Sequence, residues 1–264
     1  MVVHANAEPI IRAEELTARY QQNTIFDRVS FDVQRGEVFA ILGGSGSGKS
    51  TMLKHMIGLY KPAGGRVLIQ GQDIASAEGE ARRRLLRKFG VMYQSGALFG
   101  SMTLRENVRL ALEEFTDLPP DAMDLIAASK LKLVALEGFE EYMPAAISGG
   151  MKKRAAIARA MALDPEILFL DEPSAGLDPI TSAEIDELIL NLSRTLGVTF
   201  VVVTHELPSI YTIADRVIML DKEVKGIVAS GPPAELRDTC ENEWVRRFFR
   251  RETTGASEPG EGSA

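Results

Sequence analysis

The stretch that most constrains this chain is AILGGSGSGKST, residues 40–51. It fits G-x-x-x-x-G-K-[S/T] from Gly43 to Ser50, and its flanks suit the motif. The apolar run EVFAIL (37–42) before it reads as a strand. The segment KSTMLKHMIGL (49–59) after it has helical spacing, with Met52, Leu53, Met56 and Leu59 on one face. A strand that turns through glycines into a helix can point several backbone N–H groups at one anion, because no Cβ obstructs the approach. The helix start adds a favourable dipole. Gly43, Gly44, Ser45, Gly46, Ser47, Gly48, Lys49, Ser50 and Thr51 are therefore expected to cradle nucleotide phosphates, with Lys49 on the β- and γ-phosphates and the Ser50 hydroxyl on Mg²⁺. A plain glycine-rich turn would not need strand, Lys-Ser and helix to agree.

A second feature is ILFLDEP (167–173), an apolar run that ends in an acidic pair. Successive strand side chains face opposite ways, so Asp171 and Glu172 can hold different posts. Asp171 is expected to hold Mg²⁺, through water, and Glu172 to act as general base on the attacking water. Without the phosphate loop, a polar strand end before Pro173 would explain the pair equally well.

Between these landmarks strands and helices alternate. Strand-like stretches occupy 10–20 and 28–33 around a polar turn at 21–23, then GGRVLIQG (64–71) and FGVMY (89–93), which follows the basic helix ARRRLLRK (81–88). From Ser95 to Leu163 the pattern is mostly helical. Strands return at EILFLD (166–171), VTFVVV (198–203) and RVIML (216–220), with a helical segment at 179–196. Such alternation predicts an α/β fold with a largely parallel, two-sided sheet. Residues 1–8 read as a loose tail, and TTGASEPGEGSA at the other end as disordered.

Composition excludes other classes. A net charge of -7 argues against a nucleic-acid partner held by bulk electrostatics. Local basic clusters at 82–84, 152–154 and 246–251 read as solvated helix faces. One cysteine, Cys240, permits no disulfide within the chain and suits a reducing compartment. No apolar run reaches the roughly 20 residues of a spanning helix, so work at a membrane would require docking on another chain.

The phosphate loop, YQ at 93–94, SGG at 148–150, LFLDE at 168–172, SAGLD at 174–178 and TH at 204–205 come in the order found in ATP-binding subunits of ABC transporters. The chain resembles that family from about Ile10 to Leu236. The resemblance implies the ABC ATPase fold: a P-loop ATPase core with a RecA-like, mostly parallel sheet, an antiparallel β subdomain, and an inserted α-helical subdomain. The implied layout is an ATPase domain at 9–240, with core 9–94 and 165–240 and helical part 95–164, then an extension at 241–264. It further implies a homodimer with two ATP sandwiched between subunits. On this resemblance Tyr20 stacks on adenine, Gln94 reaches Mg²⁺ and the water, and His205 contacts the γ-phosphate. Ser148, Gly149 and Gly150 form the signature that closes on ATP held by the partner copy, and Asp178 couples the two sites. A helix start capped by Ser148 with two open glycines is suited to an anion in any case. Tyr20 as a surface aromatic and Gln94 as a loop residue stay open from the residues alone.

Three segments narrow the resemblance. ISGGM (147–151) ends in Met151 where most of the family has Gln, Gly44 replaces a common Pro, QSGALF (94–99) departs from the common importer form, and GLDPITS (176–182) follows the acidic pair. Together they resemble the ATPase of lipid-trafficking systems that work with mammalian-cell-entry proteins and maintain membrane lipid asymmetry. This implies a phospholipid or related amphiphile as cargo, transmembrane permease partners, a mammalian-cell-entry lipid-binding protein and, in some members, a small anti-sigma-antagonist-like regulator. The location implied is cytoplasmic, peripheral on the inner membrane. Loss of the Gln side chain leaves backbone contacts to phosphate, so full ATPase competence is expected. ENEWVRRFFRRE (241–252) places Trp244, Phe248 and Phe249 near one helical face, suited to a partner or to packing on its own domain. Two rival readings are a soluble ABC ATPase that remodels or assembles protein complexes without transport, and a nucleotide-sensing module with little turnover. A GTPase is disfavoured, since no Asn-Lys-x-Asp segment occurs.

Overall fold

The computed structural model describes residues 8–252; the expectations for the two chain ends, apart from Glu8, fall outside them. Among the described residues the strands are β1 (Ile11–Tyr20), β2 (Asn23–Val33), β3 (Val38–Gly43), β4 (Gly64–Ile69), β5 (Gln72–Asp73), β6 (Phe89–Met92), β7 (Ile167–Asp171), β8 (Thr199–Val203), β9 (Arg216–Asp221) and β10 (Gly226–Gly231). The helices are α1 (Lys49–Met56), α2 (Gly79–Leu86), α3 (Leu104–Phe115), α4 (Pro120–Leu133), α5 (Gly149–Ala160), α6 (Pro179–Leu196), α7 (Leu207–Ile213), α8 (Pro233–Thr239) and α9 (Glu243–Arg250).

Two sheets form. One is antiparallel, ordered β2-β1-β4-β5. The other is ordered β10-β9-β3-β8-β7-β6, parallel throughout except for the edge strand β10. Every residue of β3, β7 and β8 is buried, as a strand covered on both faces requires. Alternation along β3 divides its side chains. Phe39 and Ile41 join the core under the antiparallel sheet with Phe26, Met52, Leu53 and Met56. Ala40 and Leu42 face the opposite layer, with Ile210 of α7, Leu236 of α8, and Val245 and Phe249 of α9.

α3, α4 and α5 share a third core, which runs from Leu104, Leu112 and Leu131 to Ala155–Ala158 and on to Leu168 and Leu170 of β7. α3 starts with a full capping box: Thr103 Oγ1 accepts from the Glu106 N–H and the Glu106 carboxylate accepts from the Thr103 N–H. Buried Asn107 donates to the carbonyls of Phe99, Met102 and Thr103 and accepts from the Phe99 N–H, which shapes the loop between β6 and α3.

Two details differ from the sequence reading. Leu59 lies past the end of α1 and is 55% exposed, because the chain leaves the helix at Gly58 with φ +68° and swings the side chain off the buried face. In α9 the inward residues are Val245 and Phe249, with Trp244 and Phe248 at the rim. The Tyr211 hydroxyl donates to the Phe249 carbonyl, so this helix packs on its own chain.

Candidate active site

Parallel register gathers the candidate residues at one end of the main sheet. Asp171 of β7 pairs with Val203 of β8, and Val203 pairs with Ile41 of β3. Met92 of β6 pairs with Leu170 next to them. The segments that leave these strands are the phosphate loop, the acidic pair, Thr204-His205 and Tyr93-Gln94. Their convergence beyond the carboxyl ends of parallel strands is where open α/β sheets bind ligands.

The loop from Gly43 to Gly48 is packed to tolerances only glycine meets at its two ends. Gly43 has φ +148°, and a Cβ there would stand 2.4 Å from the Leu220 carbonyl oxygen and from Ser47 Oγ. Gly48, at φ +97°, would place a Cβ 2.7 Å from Ile25 Cγ2. Gly44, Ser45 and Gly46 are exposed between them. Lys49 opens α1, and its ammonium donates to the carbonyls of Gly43 (2.9 Å) and Gly44 (3.2 Å). Burial pushes its pKa down, against the pull of Glu172 and Asp171. Ser50 is exposed beside it and Thr51 half-buried. The Ser47 hydroxyl is buried without a partner.

The acidic pair is more strongly constrained. Asp171 and Glu172 are 9% and 8% exposed, and Asp171 Oδ1 and Glu172 Oε2 have no hydrogen-bond partner. Buried polar atoms are almost always paired, so two such atoms side by side call for a ligand. Burial, and then Glu172, raise the Asp171 pKa, while Lys54, Lys49 and Lys153 oppose them. Glu172 has φ +50°, a left-handed conformation that costs a non-glycine residue about 1–3 kcal/mol. Four contacts hold it: its N–H donates to Val203 O (2.8 Å), the His205 Nδ1–H donates to its Oε1 (2.7 Å), and its carbonyl accepts from Lys153 Nζ (3.0 Å) and from the Ala175 N–H (3.3 Å). His205 itself is exposed, with Nε2 3.8 Å from Glu206 Oε1.

Gln94 is exposed, and its carbonyl accepts a short bond from Lys153. The Ser50 hydroxyl, the Gln94 amide oxygen and the Asp171 carboxylate are hard oxygen donors of the kind Mg²⁺ takes, and the orphan Asp171 Oδ1 fits such a role.

Two expected groups lie apart from this cluster. Tyr20, 71% exposed at the end of β1, lines a cavity of about 550 Å³ with Asn23, Ile25, Thr51, His55 and Tyr60. That cavity sits beside the start of α1, as a base attached to phosphates would need. Ser148 caps α5, its Oγ accepting from the Met151 N–H (3.2 Å), and Ser148 and Gly149 are exposed. Gly150 is buried against α6, where a Cβ would stand 2.4 Å from Thr181 Cγ2. Met151 packs half-buried on the core of α3–α5 rather than lying free at the site. Asp178 caps α6, accepting from the N–H groups of Ile180 and Thr181 and from the Thr181 hydroxyl (2.6 Å), and these bonds depress its pKa.

Residues 26–175, more than half of the chain, match the ABC transporter family. This chain belongs to that family. The "intermembrane phospholipid transport system ATP-binding protein MlaF" of Escherichia coli K12 is 41% identical over 85% of this chain and 82% of its own. The "probable ribonucleotide transport ATP-binding protein mkl" of Mycobacterium leprae is 39% identical over 93% of this chain and 70% of its own. Among solved structures, CbiO1 of Clostridium perfringens, part of the ABC transporter complex CbiONQ, superposes with a TM-score of 0.79 at 30% identity, over 93% of this chain and 96% of its own. The dimeric cassette MJ0796, bound to ADP and Pi after hydrolysis, superposes at 0.76 and 30%, over 84% and 98%. The fold is the ABC ATPase fold, and the protein is an ATP hydrolase of the ABC type.

Sequence reasoning missed Lys153. It read 152–154 as a solvated basic face, yet Lys153 is 7% exposed and its pKa is pushed down by burial. Nothing in local periodicity reveals an ammonium whose acceptors are 59 and 19 residues away.

Proposed function

We propose that this chain is the ATP-hydrolysing subunit of a transporter that moves phospholipid between membranes. It works as a homodimer with two ATP at the interface, peripheral on the cytoplasmic face of the inner membrane. The observation that carries the chemistry is the pair of unpartnered buried oxygens on Asp171 and Glu172, facing the same sheet end as Lys49. The cargo rests on the likeness to MlaF.

In this reading the loop Gly43–Thr51 binds the phosphates through backbone N–H groups, and Lys49 leaves its two carbonyl acceptors for phosphate oxygens. Tyr20 offers a face for adenine, with stacking worth roughly 1–3 kcal/mol. Ser50, Gln94 and Asp171 would hold Mg²⁺, which when bound neutralises charge on the phosphates undergoing transfer. Glu172 takes a proton from the attacking water at its carboxylate, and His205, tethered through Nδ1, presents Nε2 toward the γ-phosphate. Ser148, Gly149 and Gly150 lie exposed or close-packed at the start of α5 and serve the other copy's ATP, with Asp178 next to them linking the two sites. The ATPase domain spans 9–240, with core 9–94 and 165–240 and helical part 95–164, and residues from 241 form an extension.

A groove lined by Leu86, Phe89, Val91, Phe99, Phe115 and Arg159, between the main sheet and the helical part, supports docking of a permease segment. No helix among the described residues is long and apolar enough to cross a membrane, so the permease supplies the span. A mammalian-cell-entry lipid-binding protein and a small regulatory subunit complete the proposed assembly. The likeness to the mkl proteins, probable ribonucleotide transport ATP-binding proteins, supports a second reading, in which the cargo is a ribonucleotide.

The test is to tag the full chain, extract native membranes in mild detergent, and identify co-purifying proteins and lipids by mass spectrometry. A multi-span permease with bound phospholipid is the expected result. A permease without lipid, whose ATPase responds to ribonucleotides other than ATP, would favour the second reading. Soluble partners alone would overturn transport.

A further inference from the structure

α5 carries the Ser148 start at one end, and two of its cations reach backward onto the loop that follows β6. Lys153 donates to the Gln94 carbonyl and to the Glu172 carbonyl. Arg159, six residues further on, donates to the carbonyls of Gly96 (2.8 Å) and Ala97 (2.7 Å). The loop between them is wound tightly, with Gly96 at φ +73° and Ala97 at φ +48°. Arg159 also lines the apolar groove. Burying an ammonium costs several kcal/mol before compensation, and here the bonded acceptors are neutral carbonyls. A methionine of similar length would fill the space without that cost. What the ammonium supplies is a bridge between two segments that no other side-chain bond joins among the described residues.

We propose that Lys153 is a positioning residue for hydrolysis: its ammonium ties the Gln94 loop to the backbone of Glu172, so that the groove-side loop and the water-activating residue move as one unit. Arg159 anchors the groove end of the same loop. The inference rests on the reading of Glu172 as the general base. Glu172 is held in a left-handed conformation at a strand end, and Lys153 supplies one of its four restraints, the only one from the helical part among the described residues. Removing that restraint shifts the carboxylate relative to water while leaving the phosphate loop and the Tyr20 cavity intact.

The experiment compares Lys153→Met, Lys153→Arg and Glu172→Gln with the unaltered full chain in the complex with which it co-purifies. The readouts are kcat, KM for ATP, nucleotide affinity and melting temperature. Lys153→Met is expected to lower kcat by about 10- to 100-fold, the scale of an ångström-sized misplacement. KM should change by less than about threefold, since ground-state binding is untouched. Lys153→Arg should recover most of kcat, because a guanidinium can also span two carbonyls. A wild-type kcat in Lys153→Met, with turnover lost in Glu172→Gln, overturns the Lys153 proposal alone. Equal losses of kcat and melting temperature in the Met and Arg variants reduce Lys153 to a structural residue and also overturn it. Retained turnover in Glu172→Gln removes the base assignment, and the Lys153 proposal falls with it. Should Lys153→Met fail to accumulate, Lys153→Leu, which likewise has no donor, replaces it under the same criteria.

Discussion

The end of β7 and the start of α5 both face phosphate in the proposed mechanism, and they are built in opposite ways. At β7 the acidic pair is buried, Glu172 is strained, and two oxygens lack partners. Bonds from β8, from His205 and from α5 hold this arrangement, so its geometry is set before any ligand arrives. At α5 the cap is satisfied by Ser148, and Ser148 and Gly149 lie open to solvent, with exposed Asp178 and Ile180 nearby. The first region gains from a ligand by pairing orphaned atoms. The second has nothing of its own chain to close against. On the proposed mechanism, the difference assigns to one chain both a hydrolytic end and the complement for another chain's hydrolytic end.

The hardest blow to this contrast comes from Glu172→Gln. It should reduce turnover by roughly 10²–10⁴-fold, the range of a general base, with ATP affinity kept, as steady-state kinetics and nucleotide titration would record. Gly149→Val addresses the other region. Gly149 has room on its own chain, where a Cβ would meet Leu177 Cδ2 at 3.4 Å. Its melting temperature should hold while turnover falls by about 10²-fold, comparable to losing one positioned donor; a drop in stability without a drop in turnover would place its role inside the chain.

Smaller effects sharpen the picture. Tyr20→Ala should weaken ATP binding by about 1–3 kcal/mol and leave kcat at saturation intact, measured by titration and kinetics. Met151→Gln should alter turnover by less than about threefold, because Ser148 caps through the backbone of residue 151 and the half-buried side chain packs on the helical part rather than at the site. A hundredfold rise would mean that the Met at this position suppresses the site.

The smallest effect lies far from both regions. Arg35, with Gln70 and Lys88, lowers the Glu166 pKa from 4.5 to about 2. The stabilisation from this group is therefore full above its unfolded value and is lost as pH falls from about 4.5 toward 2. Glu166→Gln should flatten that part of a melting-temperature profile without changing turnover at neutral pH.

Much of this was legible in the residues. The helix at 179–196 and the strands of the central sheet follow from apolar runs and their punctuation. The two-residue β5 is too short for any period, β10 is a half-buried edge strand, and α7 is a seven-residue helix with Pro208 in its first turn, too short for its buried Leu207, Ile210 and Ile213 to stand out as a period. For the site, motifs named the groups proposed to meet phosphate, since their chemistry depends on residue type and order. Lys153 and Arg159 escaped because their acceptors are backbone carbonyls brought near by the fold, and a carbonyl has no sequence signature. Leu59 misled because helical spacing continues past the glycine that ends the helix.

The central claim is that the start of α5 completes a second chain's site. The direct measurement is sedimentation of the full-length Glu172→Gln chain with and without Mg-ATP, alongside the same chain carrying Ser148→Arg. The account predicts that mass doubles only when ATP is present, and that Ser148→Arg abolishes the doubling while ATP still binds. A chain that binds ATP and stays single, or a Ser148→Arg chain that pairs as well as its parent, would contradict it.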